Sequence, residues 1–117
     1  MQDFRNLKVW QKAHAFVMSV YRLTGNFPNH ETFGLRSQIR RASISIPANI
    51  VEGCGRGTDP DFRRMVQMAF GSACEVEYFL LLAHDLTYIT PDDHARLNDE
   101  VIEVKRMLSG LLATLAG

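Results

Sequence analysis

Hydrophobic positions recur at steps of three and four along almost the whole chain, in four blocks separated by glycine, proline and helix-capping residues. The first block covers residues 7–24, with Leu7, Trp10, Val17, Val20 and Tyr21 at helical spacings and Gly25 and Asn26 as its stop. The second starts at Thr32 or Leu35 and runs to Glu52. It carries Leu35, Ile39, Ala42, Ile46 and Ile50 on one side and is closed by Gly53, Gly55 and Gly57. Thr58, Asp59 and Pro60 open the third block, which extends to Tyr88, and Thr90, Pro91, Asp92 and Asp93 open the fourth, which extends to Ala116. Phe62, Val66, Ala69, Ala73, Val76, Leu80, Ala83 and Thr87 form one seam of the third block; Leu97, Val101, Val104, Leu108, Leu111 and Leu115 form that of the fourth. Such seams specify left-handed packing at shallow angles. With short connections and no strand-like alternation, the predicted fold is all-α: an antiparallel, up-and-down, left-handed four-helix bundle forming a single domain over residues 1–117.

Two stretches do not fit a plain amphipathic helix. The third block has a second seam, Met65, Met68, Ser72, Glu75, Phe79, Leu82 and Leu86, and with Phe70, Tyr78 and Leu81 its later half is apolar on most sides. A helix of that kind is covered by more than one partner, which predicts a subunit interface or, alternatively, deep burial. In the second block, Gln38, Arg41, Ser45, Asn49 and Glu52 project within a sector of roughly 80° and are flanked by apolar residues on both sides. Polar groups so bracketed need partners. Doubling the chain back at the glycines brings Ser45 towards Ser72 and Arg41 towards Glu75, predicting a buried network of Arg41, Ser45, Asn49, Glu52, Ser72 and Glu75. Pro47 lies inside the same block, where it either kinks or breaks the helix; the unbroken apolar phase through Ile50 favours a kink.

Composition narrows the class without naming a role. Hydrophobic residues make up 46% and charged residues 22% of 117 residues, globular values, and no membrane partner is expected. The first residues lack a secretory pattern, so the expected location is cytoplasmic and the two cysteines, Cys54 and Cys74, are expected to be reduced. Net charge is zero, yet residues 1–64 hold ten Lys/Arg against five Asp/Glu, whereas residues 65–117 hold three against eight. That asymmetry favours mutual attraction of the two halves over a dedicated basic face.

The segments F-R-N-L-K-V-W from Phe4, F-G-L-R-S-Q-I-R-R-A from Phe33, S-I-P-A-N-I-V-E-G from Ser45 and A-F-G-S-A-C-E-V-E from Ala69 together resemble the 23S rRNA intervening-sequence proteins, also called four-helix bundle proteins. The resemblance covers nearly the whole chain. It implies a bacterial, cytosolic bundle that assembles as a homopentameric ring, with no established biochemical activity. A related group of accessory proteins in diversity-generating retroelements is similar in fold and pentameric; it is strongly basic and binds a reverse transcriptase and nucleic acid. The zero net charge of this chain departs from that group.

Catalytic chemistry is not legible in the sequence. His14, His30, His84 and His94 show no H-x-x-x-H or E-x-x-H pairing, and the serines lack an activating motif. G-C-G-R-G over residues 53–57 has no G-K-[ST] ending and follows a helix, so it reads as a turn. No enzyme activity, metal or cofactor is expected. Two function classes remain: a non-enzymatic oligomeric scaffold or adaptor that binds a protein partner, and, alternatively, an RNA- or DNA-binding assembly. The second would use a rim of Arg36, Arg40, Arg56, Arg63 and Arg64 at or near the helix ends.

Overall fold

The computed structural model describes residues 3–115. Among them are four α-helices, α1 (Lys8–Thr24), α2 (Leu35–Arg56), α3 (Asp59–Asp85) and α4 (Pro91–Leu115), with 3-10 turns at Phe4–Asn6 and Asn29–Glu31. The expected last turn of the fourth helix, at Ala116, lies outside the described residues. Each helix packs on its sequence neighbour and α1 also packs on α4, so α1 and α3 lie on one diagonal and α2 and α4 on the other. The long dimension of 44 Å is close to the length of α3, about 40 Å at about 1.5 Å per residue.

Local chemistry accounts for the helix ends. Thr58 Oγ1 accepts from the Asp61 N–H at 3.4 Å and Thr90 Oγ1 from the Asp93 N–H at 3.1 Å. Asp59, Asp61, Asp92 and Asp93 place negative charge in the first turns, where the helix dipole favours it. The glycines differ from expectation. α2 continues through Pro47, Gly53 and Gly55 to Arg56, and only Gly57, at φ 86°, takes the left-handed conformation that ends it. Gly53 serves packing instead: a Cβ there would lie 2.8 Å from the Phe62 ring and 3.1 Å from Met65 Cβ. α3 also ends three residues before Tyr88. Tyr88 N–H bonds to the Ala83 carbonyl and Thr87 N–H to that of His84, each at 2.9 Å, a Schellman closure that puts Thr87 at φ 63°.

One apolar stripe from each helix fills the core. The contributions from α2, α3 and α4 include Ile39, Ile46 and Ile50; Val66, Val76 and Leu80; and Leu97, Val101 and Leu108, each with no exposed surface. Fully burying one such side chain contributes about 1.5–3 kcal/mol relative to exposure. The stripe on α1 is Val9, Ala13, Phe16, Val20 and Leu23; of the expected set, Leu7, Trp10 and Val17 are half-buried and Tyr21 is exposed. At about 100° per residue Trp10, Val17 and Tyr21 lie on one flank of the series from Val9 to Leu23, which faces the core and includes the fully buried Phe16.

Buried polar groups on α1 are tied to its neighbours. Thr24 Oγ1 donates to the Val20 carbonyl at 2.8 Å and accepts from Arg40 Nε at 2.8 Å, while Ser19 Oγ donates to Glu100 Oε1 at 3.0 Å. Glu31 clamps the two connections at one end of the bundle: its Oε1 accepts from Leu35 N–H at 2.9 Å and its Oε2 from the Tyr88 hydroxyl at 2.8 Å.

Two thermal-stability outcomes follow from the backbone. Gly53→Ala should destabilise by about 1–3 kcal/mol, because the Phe62 ring and Met65 must move. Thr87→Gly should stabilise by up to about 1 kcal/mol, since a β-branched residue at positive φ is strained. The melting temperatures of the two variants should therefore move in opposite directions.

A third outcome concerns acid. Hydrogen bonds from Leu35 N–H and then from the Tyr88 hydroxyl hold the Glu31 carboxyl below the usual glutamate range. A carboxyl with a depressed folded pKa contributes fully above its unfolded pKa, and the contribution disappears as pH falls through the folded value. Denaturant unfolding of the wild type should lose stability below about pH 4.3 more steeply than Glu31→Gln. Parallel acid profiles would contradict this role for Glu31.

Candidate functional site

Three surface features have the geometry to act, and the polar seam between α2 and α3 is the first. Ser72 Oγ donates to Ser45 Oγ at 2.8 Å, and Asn49 Nδ2 donates to the Ser45 carbonyl at 2.7 Å and to Ser45 Oγ at 2.9 Å. All three residues are half-buried. One turn earlier on α2, Arg41 Nη2 meets the Glu75 carboxylate at 3.3 and 3.4 Å and the Gln38 amide oxygen at 3.1 Å. The two-residue connection at Gly57 and Thr58 puts these residues opposite one another, since it leaves little freedom to slide the helices.

The network departs from expectation in two ways. Glu52 stands apart from it: its side chain faces water and pairs with Arg56 one turn along α2. The outer members also face water: the Arg41 and Glu75 side chains are 57% and 44% exposed. The core stripe lies to one side of the polar stripe, so the apolar residues on its other flank, Ile44 and Ala48, are exposed. The seam's one carboxylate, Glu75, is paired with Arg41, and the recorded bonds of Ser45 and Ser72 run to each other and to Asn49.

The arginines form the second feature. They occupy two places instead of one rim. Arg36 and Arg40 lie near the start of α2, whereas Arg56 lies at its end, some 24–30 Å away along the helix at about 1.5 Å per residue, and Arg63 and Arg64 lie near the start of α3. Arg56 is paired with Glu52 and Arg63 Nη1 donates to Gln67 Oε1 at 3.4 Å; Arg64 is exposed. At the other end, Arg36 Nη2 donates to the Phe27 carbonyl at 2.8 Å, and the Arg40 guanidinium lies 4.3 Å from the Tyr21 ring centroid. Arg36, Arg40, Arg41, Phe33 and Ile44 are among the residues lining a groove of about 540 Å³. The sequence reading missed this groove, although F-G-L-R-S-Q-I-R-R contains most of its wall.

The third feature is the outer side of α3. Met68, Tyr78, Leu81 and Leu86 are 49%, 58%, 46% and 43% exposed. Among the described residues α3 is the one helix long and apolar enough to cross a membrane, yet only 33% of its apolar window is buried inside the chain. Its apolarity is therefore divided between the core and an uncovered face.

Remaining reactive groups do not assemble around these features. Cys54 is buried and Cys74 exposed, both as free thiols, and burial pushes the Cys54 thiol up. Among the described residues no three His, Cys, Asp or Glu side chains are placed to hold one metal ion. His84 and His94 do pair, with rings stacked at 4.7 Å across the connection from α3 to α4, a contact that local spacing motifs did not reveal.

Among the described residues, then, the arrangement defines a small four-helix protein whose distinctive parts are surfaces: a polar seam, an arginine-lined groove and an apolar helix face. A family model described as 23S rRNA-intervening sequence protein matches residues 5–110, and the chain belongs to that family. It is also similar to a solved structure described as a protein with unknown function from the S23 ribosomal protein family of Bacteroides thetaiotaomicron. The TM-score is 0.83 at 28% sequence identity, covering 89% of this chain and 97% of that one. No match was found among curated proteins.

The seam yields a stability outcome. Asn49→Ala removes both bonds to the half-buried Ser45 and should cost about 0.5–1.5 kcal/mol. Glu75→Ala breaks an exposed ion pair and should stay within about 0.5 kcal/mol of wild type. Equal losses in urea unfolding would contradict this division.

Proposed function

We propose that this chain is the subunit of a non-enzymatic, cytoplasmic, homo-oligomeric scaffold that presents its surfaces to a protein partner. The observation that carries the reading is the uncovered apolar face of α3, where Met68, Tyr78 and Leu81 lie exposed on a helix whose opposite side fills the core. A second copy covering that face would remove the exposed apolar area from water.

The distribution of charge supports a head-to-tail contact. α1 and α2 carry seven basic residues and one acidic, whereas α3 and α4 carry five basic and ten acidic. These helix pairs form opposite sides of the bundle, so one side of a subunit attracts the other side of the next. Contacts of that kind close into rings where the rotation from one copy to the next divides a full turn. We take the assembly to be a pentamer, as the family resemblance implies, of antiparallel, up-and-down, left-handed bundles. A nucleic-acid role has support in the basic excess on α1 and α2. The separation of Arg36 and Arg40 from Arg56, Arg63 and Arg64 weighs against one shared rim.

Light scattering across a concentration series tests the scaffold reading, with a pentamer mass as the expected result. Tyr78→Glu combined with Leu81→Glu should lower that mass while circular dichroism stays helical. A wild-type monomer at high concentration would defeat the oligomer, and an unchanged mass in the double variant would remove the α3 face from the interface.

A further inference from the structure

Arginines on this protein are held in two different ways. Among the described residues, Arg5, Arg41, Arg56, Arg96 and Arg106 each meet a carboxylate. Arg22 and Arg63 meet the neutral side chains of Ser19 and Gln67, each at 3.4 Å, and Arg36 and Arg40 are held more closely by neutral acceptors: Arg36 by the Phe27 carbonyl at 2.8 Å, Arg40 by Thr24 Oγ1 at 2.8 Å and the Tyr21 carbonyl at 3.2 Å. Their positions are fixed while their charges stay uncompensated. Arg36 Nε is buried with no hydrogen-bond partner. The two residues are one turn apart, hence neighbours on the helix surface, and both line the 540 Å³ groove, whose lining contains no carboxylate. Phe33, 93% exposed, and Ile44, 42% exposed, add apolar wall.

We propose that this groove binds an acidic peptide segment of a partner protein, with carboxylates on Arg36 and Arg40 and a bulky apolar side chain against Phe33 and Ile44. The proposal rests on the adaptor reading above and gives it a class of partner; it requires the contact between copies to leave this part of the α1–α2 side, lined by Tyr21, Phe33 and Ile44, open. Guanidinium groups match carboxylates in geometry as well as charge, and arginines already ordered by the fold forfeit less freedom on binding. The mixed lining favours peptide over nucleic acid. An aliphatic residue such as Ile44 recognises a side chain, and the ten acidic residues of α3 and α4 oppose a polyanion long enough to leave the groove.

Display of random dodecapeptides against the immobilised full chain, followed by fluorescence anisotropy of labelled binders, tests the proposal. The expected result is enrichment of acidic residues beside Phe, Leu or Trp, with affinity that falls as salt rises. Phe33→Ala should weaken binding by about tenfold or more, and its exposure makes it the variant that leaves the fold intact. Arg36→Gln should weaken binding further at low salt than at high salt. No enrichment, enrichment without acidic residues, unchanged binding by Phe33→Ala, or preference for labelled oligouridylate would each overturn the proposal. Light scattering separates this from the scaffold reading. Loss of peptide binding by Phe33→Ala at unchanged mass supports the groove, whereas a fall in mass makes the groove a subunit contact and overturns it. A wild-type monomer that still binds the peptides would support the groove and defeat the scaffold alone.

Discussion

α2 and α3 approach tightly where Gly53 faces Phe62, a position at which any side chain would press its Cβ to 2.8 Å from the ring. That approach, next to a two-residue connection, leaves the pair one register. From it follow the contacts further along, Ser45 with Ser72 and Arg41 with Glu75, whose residue numbers track the same reversal of the chain. A shift by one turn would set Ser45 against the apolar Ala69 or Val76 and take away its partner Ser72, leaving a half-buried hydroxyl one bond short. Close packing and polar matching thus select the same alignment.

Once that register holds, the outer faces of the bundle are determined too. α3 directs Val66, Ala73 and Leu80 inward, and the helical repeat then places Met68, Tyr78 and Leu81 where no helix of the same chain covers them. Each helix in a four-helix arrangement has two neighbours and one free side, so a helix whose later half is apolar on most sides keeps some of that surface exposed. Segregation of basic residues to α1 and α2, and acidic ones to α3 and α4, is a consequence of the same layout. Chain halves of opposite charge become opposite sides of one body.

Legibility in the sequence followed the strength of the local signal. The core series of α2, α3 and α4 could be read because apolar residues recur there without interruption, and the caps Thr58 and Thr90 because their side chains act within three residues. On α1 the expected set Leu7, Trp10, Val17, Val20 and Tyr21 obeys helical spacing as well as the set that occupies the core, Val9, Ala13, Phe16, Val20 and Leu23, so spacing alone did not choose between them. Gly53 looked like punctuation, since nothing nearby in sequence announces Phe62 as its neighbour. Glu52 shared a stripe with Asn49 but not a partner: it lies exposed beside Arg56, one turn along the same helix. The arginines appeared to be one cluster in the one-dimensional order of chain ends, and the length of α2 separates them. The pairing of His84 with His94 and the groove beside Arg36 arise from connections between helices, where periodicity carries no information.

How an arginine is satisfied decides what it has left to offer. An exposed pair such as Arg41 with Glu75 contributes little stability and also cancels its own field. Arg40 bonds to a threonine hydroxyl and a backbone carbonyl, so it ties α2 to the end of α1 and keeps its charge, as Arg36 does at Phe27. Between these anchors and Leu35 lies the connection that carries Phe33, and its far side is clamped by Glu31 on Leu35 and Tyr88. A loop fastened at both edges holds an exposed phenylalanine beside two uncompensated guanidiniums without depending on a ligand for its shape. The same bonds that stabilise the α1 to α2 connection therefore preorganise the groove.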